Sequence, residues 1–282
     1  MIQKPFKTIG IGIAFSPNLK ANLYEASRLA LFFECKLVLI HVGNESEDKT
    51  ETLEKILNTF KKDHLEYEVI FKPGDPVDVI LSASEEKKVD LLIIGAAKRE
   101  KLFTYYVGSI ARKITRKAKC SLLLLINPSI ERLPCQHIVV NGLEDPKTEQ
   151  TIETAFYIGL KLKAEKLTIV EEIKQNEITV NVDDDKSLRK TQIVKERLRN
   201  RERSRINHVI EHIPEAFTQN IVVKSQPIFG TQGYSIGHYA QIARADLLVM
   251  NAPTKMTFWD RLFPHDIEHI LTELPTDVLI IQ

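Results

Sequence analysis

The chain has 282 residues, 43% of them hydrophobic and 27% charged, with a formal net charge of +1. That is length for about two domains with sizeable cores. The near-zero balance argues against a wholesale polyanion binder while leaving room for a local basic patch. No apolar run is long enough to span a bilayer, and no small-residue cleavage site follows the short apolar stretch near residue 10, so a cytoplasmic protein without a membrane span is expected. Cys35, Cys120 and Cys135 are odd in number and lack a C-x-x-C spacing, which argues for reduced structural thiols rather than a disulfide framework or a cysteine zinc site.

In chain order, short β-branched or leucine-rich runs at 8–14, 36–42, 67–71, 90–95 and 121–126 read as strands. Between them, 18–34, 46–63, 76–88 and 107–118 carry apolar residues at helical spacing, as with Leu23, Ala26, Ala30 and Phe33. Repeated β-α units predict a parallel sheet, and strands apolar on both faces, such as Leu91 to Ile94, predict helices on both sides of it. After a linker broken by Pro128 and Pro134, runs at 137–141, 166–172, 220–224, 246–251 and 277–282 restate the five strands. The near-identity of VDLLIIGA (89–96) and ADLLVMNA (245–252) marks a duplication.

The expected architecture is therefore α/β: two tandem, doubly wound, five-stranded parallel sheets, residues 1–128 and 135–282, packed as a pseudo-dimer about an approximate two-fold axis, with a further homodimer open. Ligands in such sheets sit beyond the carboxyl ends of the strands. In the first copy that end carries Phe15, Ser16, Pro17 and Asn18 after the first strand, His41 and Val42 closing the second, and Gly95 closing the fourth. Gly95 is followed by Ala96, Ala97 and Lys98, then by nine residues, then by Gly108 and Ser109 at the start of a helix. Glycine admits close backbone approach, and a helix N-terminus with a hydroxyl beside it favours a phosphate. His41 and Val42 either pack against a base or belong to the core; Gly108 and Ser109 are either phosphate ligands or a turn and cap.

The run PGDPVDVILSASEEKKVDLLIIGA, with GSIARKITRKAKCSLLLLI after it, resembles the end of a universal stress protein domain, of the adenine nucleotide alpha hydrolase-like fold. The resemblance covers nearly all of 5–127 and, more weakly, 135–282. Nucleotide-binding members carry G-x2-G-x9-G-[ST], and on that pattern Gly95, Gly108 and Ser109 match while Lys98 replaces the second glycine. The family's acidic residue after the first strand stands here as Ala14. The resemblance implies ATP, with magnesium, or AMP in the first copy, its phosphates on Gly95, Gly108 and Ser109 and its base bordered by Phe15, Ser16 and Val42. Lys98 either meets a phosphate as a point charge or occupies the nucleotide's space. In the second copy Asn251, Thr254, Pro264 and His265 take the four motif positions, so no nucleotide is expected there; Asn141 and Gly142 stand at its acidic position.

Other patterns carry less. His208-x-x-Glu211-His212 and His265-x-x-Glu268-His269 share a metallopeptidase spacing but show no third ligand and sit in the wrong organisation, so no metal is expected. Residues 186–205 hold nine basic residues against two acidic ones, without interleaved aromatics, which reads as a solvated face or a partner-docking helix rather than a nucleic-acid site. Phe258, Trp259, Leu262 and Phe263 either cover their own core or form a contact surface. No catalytic constellation is present in the pattern. The expected function is that of a cytoplasmic stress-response or regulatory protein that binds rather than turns over a nucleotide; the alternative is a nucleotide-free scaffold or interaction module acting through the second copy on a protein partner.

Overall fold

The computed structural model describes residues 4–98, 105–126, 128–178, 184–231, 234–252, 270 and 274–282. They form two compact units, Met1–Pro134 with Leu271–Gln282, and Cys135–Ile270.

In the first unit, β1 (Thr8–Ile13), α1 (Leu19–Phe33), β2 (Lys36–Val42), α2 (Glu47–Leu57) and β3 (Tyr67–Lys72) are followed by α3 (Pro76–Glu86) and β4 (Leu91–Gly95). A short pair, β5 (Ala97–Lys98) and β6 (Tyr105–Tyr106), then precedes α4 (Ser109–Lys117) and β7 (Ser121–Leu125). The parallel order is β3-β2-β1-β4-β7. Leucine and isoleucine fill both faces of β4 and β7, and Leu91 to Ile93 and Leu122 to Leu125 are buried, as a sheet covered on both sides requires. The helices form where apolar residues recur every three or four positions: α1 buries Leu19, Leu23, Ala26, Ala30 and Phe33. Asp75 starts α3 by accepting from the Val77 amide at 2.9 Å, with Pro76 at the first helical position.

The second unit holds β8 (His137–Asn141), α5 (Thr148–Leu162), β9 (Lys166–Lys174), α6 (Asp185–Glu211), α7 (Glu215–Thr218), β10 (Val222–Gly230), α8 (Tyr234–Ile242) and β11 (Leu247–Asn251). Its parallel order is β10-β9-β8-β11. The remaining strand, β12 (Asp277–Ile281), is the run that the sequence assigns as the fifth strand of the second copy. It lies antiparallel against β7, with Val278 opposite Leu124 and Ile280 opposite Leu122, and groups with the first unit. The register is pinned at both ends: the Ile126 amide donates to Asp277 at 2.8 Å and the Gln282 amide to Ser121 Oγ at 3.3 Å.

The duplication reaches down to single hydrogen bonds. Asp90 Oδ2 accepts from the amides of Lys7 (2.8 Å) and Thr8 (3.0 Å), tying the entry of β4 to that of β1. Asp246 Oδ2 does the same for Gln136 and His137, both at 2.8 Å. The turns that end the helices are duplicated as well. Glu34 and Lys163 end α1 and α5 in the left-handed region, and Lys88 and Arg244 precede β4 and β11 in it, with φ between 50° and 60°. After each, an amide reaches back five residues, as with Cys35 to Ala30 and Ala245 to Ala240. None of the four is glycine, so each carries a steric cost of about 1 kcal/mol. Lys88→Gly and Lys163→Gly are each expected to raise stability by about 0.5–1 kcal/mol, read as a higher urea midpoint at unchanged slope. Asp90→Ala is expected to lower it by about 2 kcal/mol, since two amides lose a charged acceptor.

Candidate functional site

The first unit's sheet reverses its order between β1 and β4: from β1 the chain moves outward to β2, from β4 outward to β7. A crevice opens at the carboxyl ends of such a strand pair. Around it the loop after β1 is held in a tight turn, the Ser16 amide donating to Ala14 O at 2.8 Å and the Leu19 amide to Ser16 O at 3.0 Å. Phe15, 38% exposed, stands edge-on to His41 at 4.9 Å between ring centroids, and His41 is edge-on to Phe71 at 5.6 Å. His41 Nδ1 lies 3.2 Å from Ile13 O, so the imidazole belongs to an aromatic cluster beside the crevice, with half-buried Val42 next to it. Lys49 Nζ sits 5.9 Å from the Phe15 ring centroid. Ser16 and Ala14 are exposed.

Gly95 lies on the other side of the switch point. A β-carbon on it would meet only the Asn22 side chain, at 3.7 and 3.8 Å, so a slot stays open between β4 and the first turns of α1. The β5–β6 pair explains how Gly108 comes to the same place. Ala97 pairs with Tyr106, and Gly95 and Gly108 each stand two residues from that pair, so the ladder draws the two glycines together. Among the described residues nothing lies within 4 Å of where a Gly108 β-carbon would be. Gly108 opens α4, whose first turn has no side-chain cap and no acidic residue, with Ser109 exposed at the first helical position. Amides left in that way are anion-seeking. Of Lys98 only the backbone, paired with Tyr105, falls within the described residues.

The second unit builds the Gly95 side of this place and fills it. Ile9 pairs with Leu91 and Ile138 with Leu247, so β1 and β8 share a register in which Ile138 matches Ile9 and Leu143 matches Ala14. Leu143, not Asn141, therefore takes the position of the family's acid; Asn141 instead turns its Oδ1 onto the Leu143 amide at 3.1 Å. At the Gly95 position, Asn251 extends its side chain into the slot and donates to Thr148 Oγ1 at 3.1 Å. Thr148, 2% exposed, passes the bond on to Leu143 O at 2.6 Å. From α6, the Arg205 guanidinium donates to the carbonyls of Gly142 and Leu143. Thr254, Pro264, His265, Glu268, His269 and the Phe258–Phe263 cluster lie outside the described residues. At the end of α6, His212 Nδ1 is 2.7 Å from His208 O, and His208 is 3.8 Å from Glu211.

Behind Arg205 lies a group that sequence patterning does not single out. Glu171 on β9 is 1% exposed, accepts from Ser225 Oγ at 2.8 Å through one oxygen and has no partner for the other among the described residues. Burial pushes its carboxyl up to about 7; Ser225 and Arg205 work against that rise, while Glu202 adds to it. Glu202 is itself neutralised by Arg201 at 2.8 Å and Arg205 at 2.9 Å. Between its ordinary value of 4.5 and about 7, Glu171 holds in the folded chain a proton that the unfolded chain has lost, so stability falls as pH rises through that window. Glu171→Gln keeps the acceptor for Ser225 and removes the ionisation. Urea unfolding is expected to find the variant level with wild type at pH 5 and more stable by about 1–3 kcal/mol at pH 8.

Residues 43–125, which include Val42's neighbour Gly43, Gly95, Gly108 and Ser109, match the model of the universal stress protein family. The first unit carries a universal stress protein domain. The universal stress protein of Methanothermobacter thermautotrophicus is 27% identical over 73 residues, covering 26% of this chain and 49% of that protein. A universal stress protein of Helicobacter pylori is 35% identical over 64 residues, covering 23% and 45%. The chain thus spans about half the length of these curated relatives. Among solved structures, a universal stress protein from Archaeoglobus fulgidus superposes with a TM-score of 0.67 at 16% identity, covering 99% of both chains. A functionally unknown protein from Pseudomonas aeruginosa gives 0.69 at 14% identity, covering 99% of this chain and 93% of its own. At that identity the likeness is one of fold, and it extends over the second unit as well as the universal stress protein domain.

Proposed function

We propose that the first unit binds an adenine nucleotide, ATP with magnesium or AMP, and that the protein acts in the cytoplasm as a stress-response regulator by binding, without turnover. The observation that carries this reading is the contrast between the units: the slot at Gly95 is open, whereas Asn251 fills the equivalent place in the second unit and Arg205 holds the loop beside it. Phosphates would lie on the backbone at Gly95, Gly108 and Ser109, with the base against Phe15, Ser16 and Val42. The groups present fit the phosphates better than the ribose. Ala14 offers no side-chain acceptor, and Asn22, whose Oδ1 is buried without a partner among the described residues, is the nearest polar side chain to Gly95.

Thermal unfolding of ligand-stripped protein in millimolar ATP, ADP or AMP with magnesium tests this. Occupancy at a hundredfold excess over Kd adds about 2.7 kcal/mol, a rise of roughly 5 °C. Gly95→Asn, which copies the second unit's residue into a position with steric room, is expected to abolish the rise while leaving the unliganded melting temperature nearly unchanged. An absent shift in wild type favours the second reading, a nucleotide-free interaction module. That reading is supported by the closed second unit, where the fold is kept while the ligand place is filled by the chain's own side chains.

A further inference from the structure

The helix α6 is 27 residues long, yet it buries only Thr191, Glu202, Ile206 and Val209. Its side chains divide sharply by what they touch. Lys195 and Arg199 lie over the Phe229 ring at 5.8 and 5.2 Å. Arg201 pairs with Glu177 and Glu202, and Arg205 with Glu202 and two backbone carbonyls. Lys186, Arg189, Lys190, Arg197 and Arg203 are exposed and have no ion-pair or hydrogen-bond partner among the described residues. At 3.6 residues per turn these five cations fall within an arc of about 140° and along about 26 Å of helix. The buried residues occupy the opposite side. Asp185 and Glu196 stand toward one edge of the arc, Glu196 3.7 Å from Arg199.

Ile193 sits near the middle of this arc and is 53% exposed. Helical spacing places Arg189, Lys190 and Arg197 beside it and Lys186 two turns back, with Glu196, paired to Arg199, as the fourth neighbour, so it is an apolar contact flanked on three sides by unpaired cations. A nucleic-acid strand would want aromatic faces for its bases, and the arc has none. A bilayer would want a continuous apolar side, but that side of α6 is spent on β9 and β10, and the other exposed apolar residue, Leu188, lies about 140° from Ile193 around the helix. A small desolvated apolar centre with a charged rim is what a protein contact uses.

We infer that the exposed face of α6 docks an acidic segment of a partner protein, with carboxylates against Arg189, Lys190 and Arg197 and one aliphatic side chain against Ile193. This does not depend on nucleotide binding by the first unit. The test uses the full chain and a fluorescein-labelled helical peptide with glutamates three and four residues either side of a central leucine. Binding is expected to weaken steeply with added salt. The double variant Arg189→Glu/Arg197→Glu is expected to lose roughly tenfold or more in affinity, as is Lys186→Glu/Arg197→Glu, and Ile193→Ser several-fold, each at an unchanged urea midpoint. Replacing the central leucine of the peptide by serine should match the loss in Ile193→Ser. The inference is overturned if the peptide does not bind, if Ile193→Ser binds it as tightly as wild type, or if polyuridine or phosphatidylserine vesicles bind the same face more tightly than the peptide.

Discussion

Each unit depends on one carboxylate. Asp90 and Asp246 stand where the fourth strand of their unit begins, and each gathers two amides from the start of the first strand. Parallel pairs lack a connecting hairpin to set their register, and here that register joins β1 to β4 and β8 to β11, the pairs at which strand order reverses. The crevice at the far end of those strands inherits its geometry from this clamp. Gly95 faces Asn22, and Asn251 faces Thr148, because the strands beneath them cannot slip. A one-residue slip would also carry every side chain of these strands to the opposite face of the sheet, against the wrong helices.

The strands and the first unit's helices were legible because the code is local and redundant. Leucine runs between amphipathic segments mark a doubly wound sheet whatever the loops do, and the shared D-L-L of the two fourth strands exposed the duplication. The motif glycines Gly95 and Gly108 could be read by spacing, and β5 with β6 supplies the reason that a spacing of thirteen residues matters. What sequence could not give is anything that depends on a side chain from elsewhere in the chain. Asn22, Thr148, Arg205 and Glu171 have ordinary local surroundings in sequence and acquire meaning only through partners far along it. Leu143 took the place assigned to Asn141 and Gly142 because loop register follows strand pairing, which two residues of polar sequence cannot convey. The left-handed residues Glu34, Lys88, Lys163 and Arg244 were hidden for the opposite reason: the position calls for glycine and the chain does not use it.

The two units show how one scaffold supports different chemistry. In the first, small residues leave backbone amides and a slot exposed at the switch point. In the second, the same backbone carries an amide side chain that donates to a threonine, an arginine that holds the neighbouring loop carbonyls, and a buried glutamate behind them whose carboxyl is pushed up to about 7. The second arrangement ties the loop after β8 to α6 and to Thr148 through the chain's own side chains. That frees the surface of α6, with its unpaired cations, from any duty to the core.

The position of β12 has a consequence for how the molecule is made. Strand β7 is buried along its length, yet the strand that pairs with its free edge lies far along the chain; Ile126 and its partner Asp277 are 151 residues apart. During synthesis β1 to β7 emerge long before that cover does. Until it arrives, Leu122 to Leu125 present an apolar, unpaired edge to whatever else is in the cell, a template for pairing with a stranger. Splitting this protein after its first copy would therefore leave behind a sticky half rather than a smaller self-contained fold.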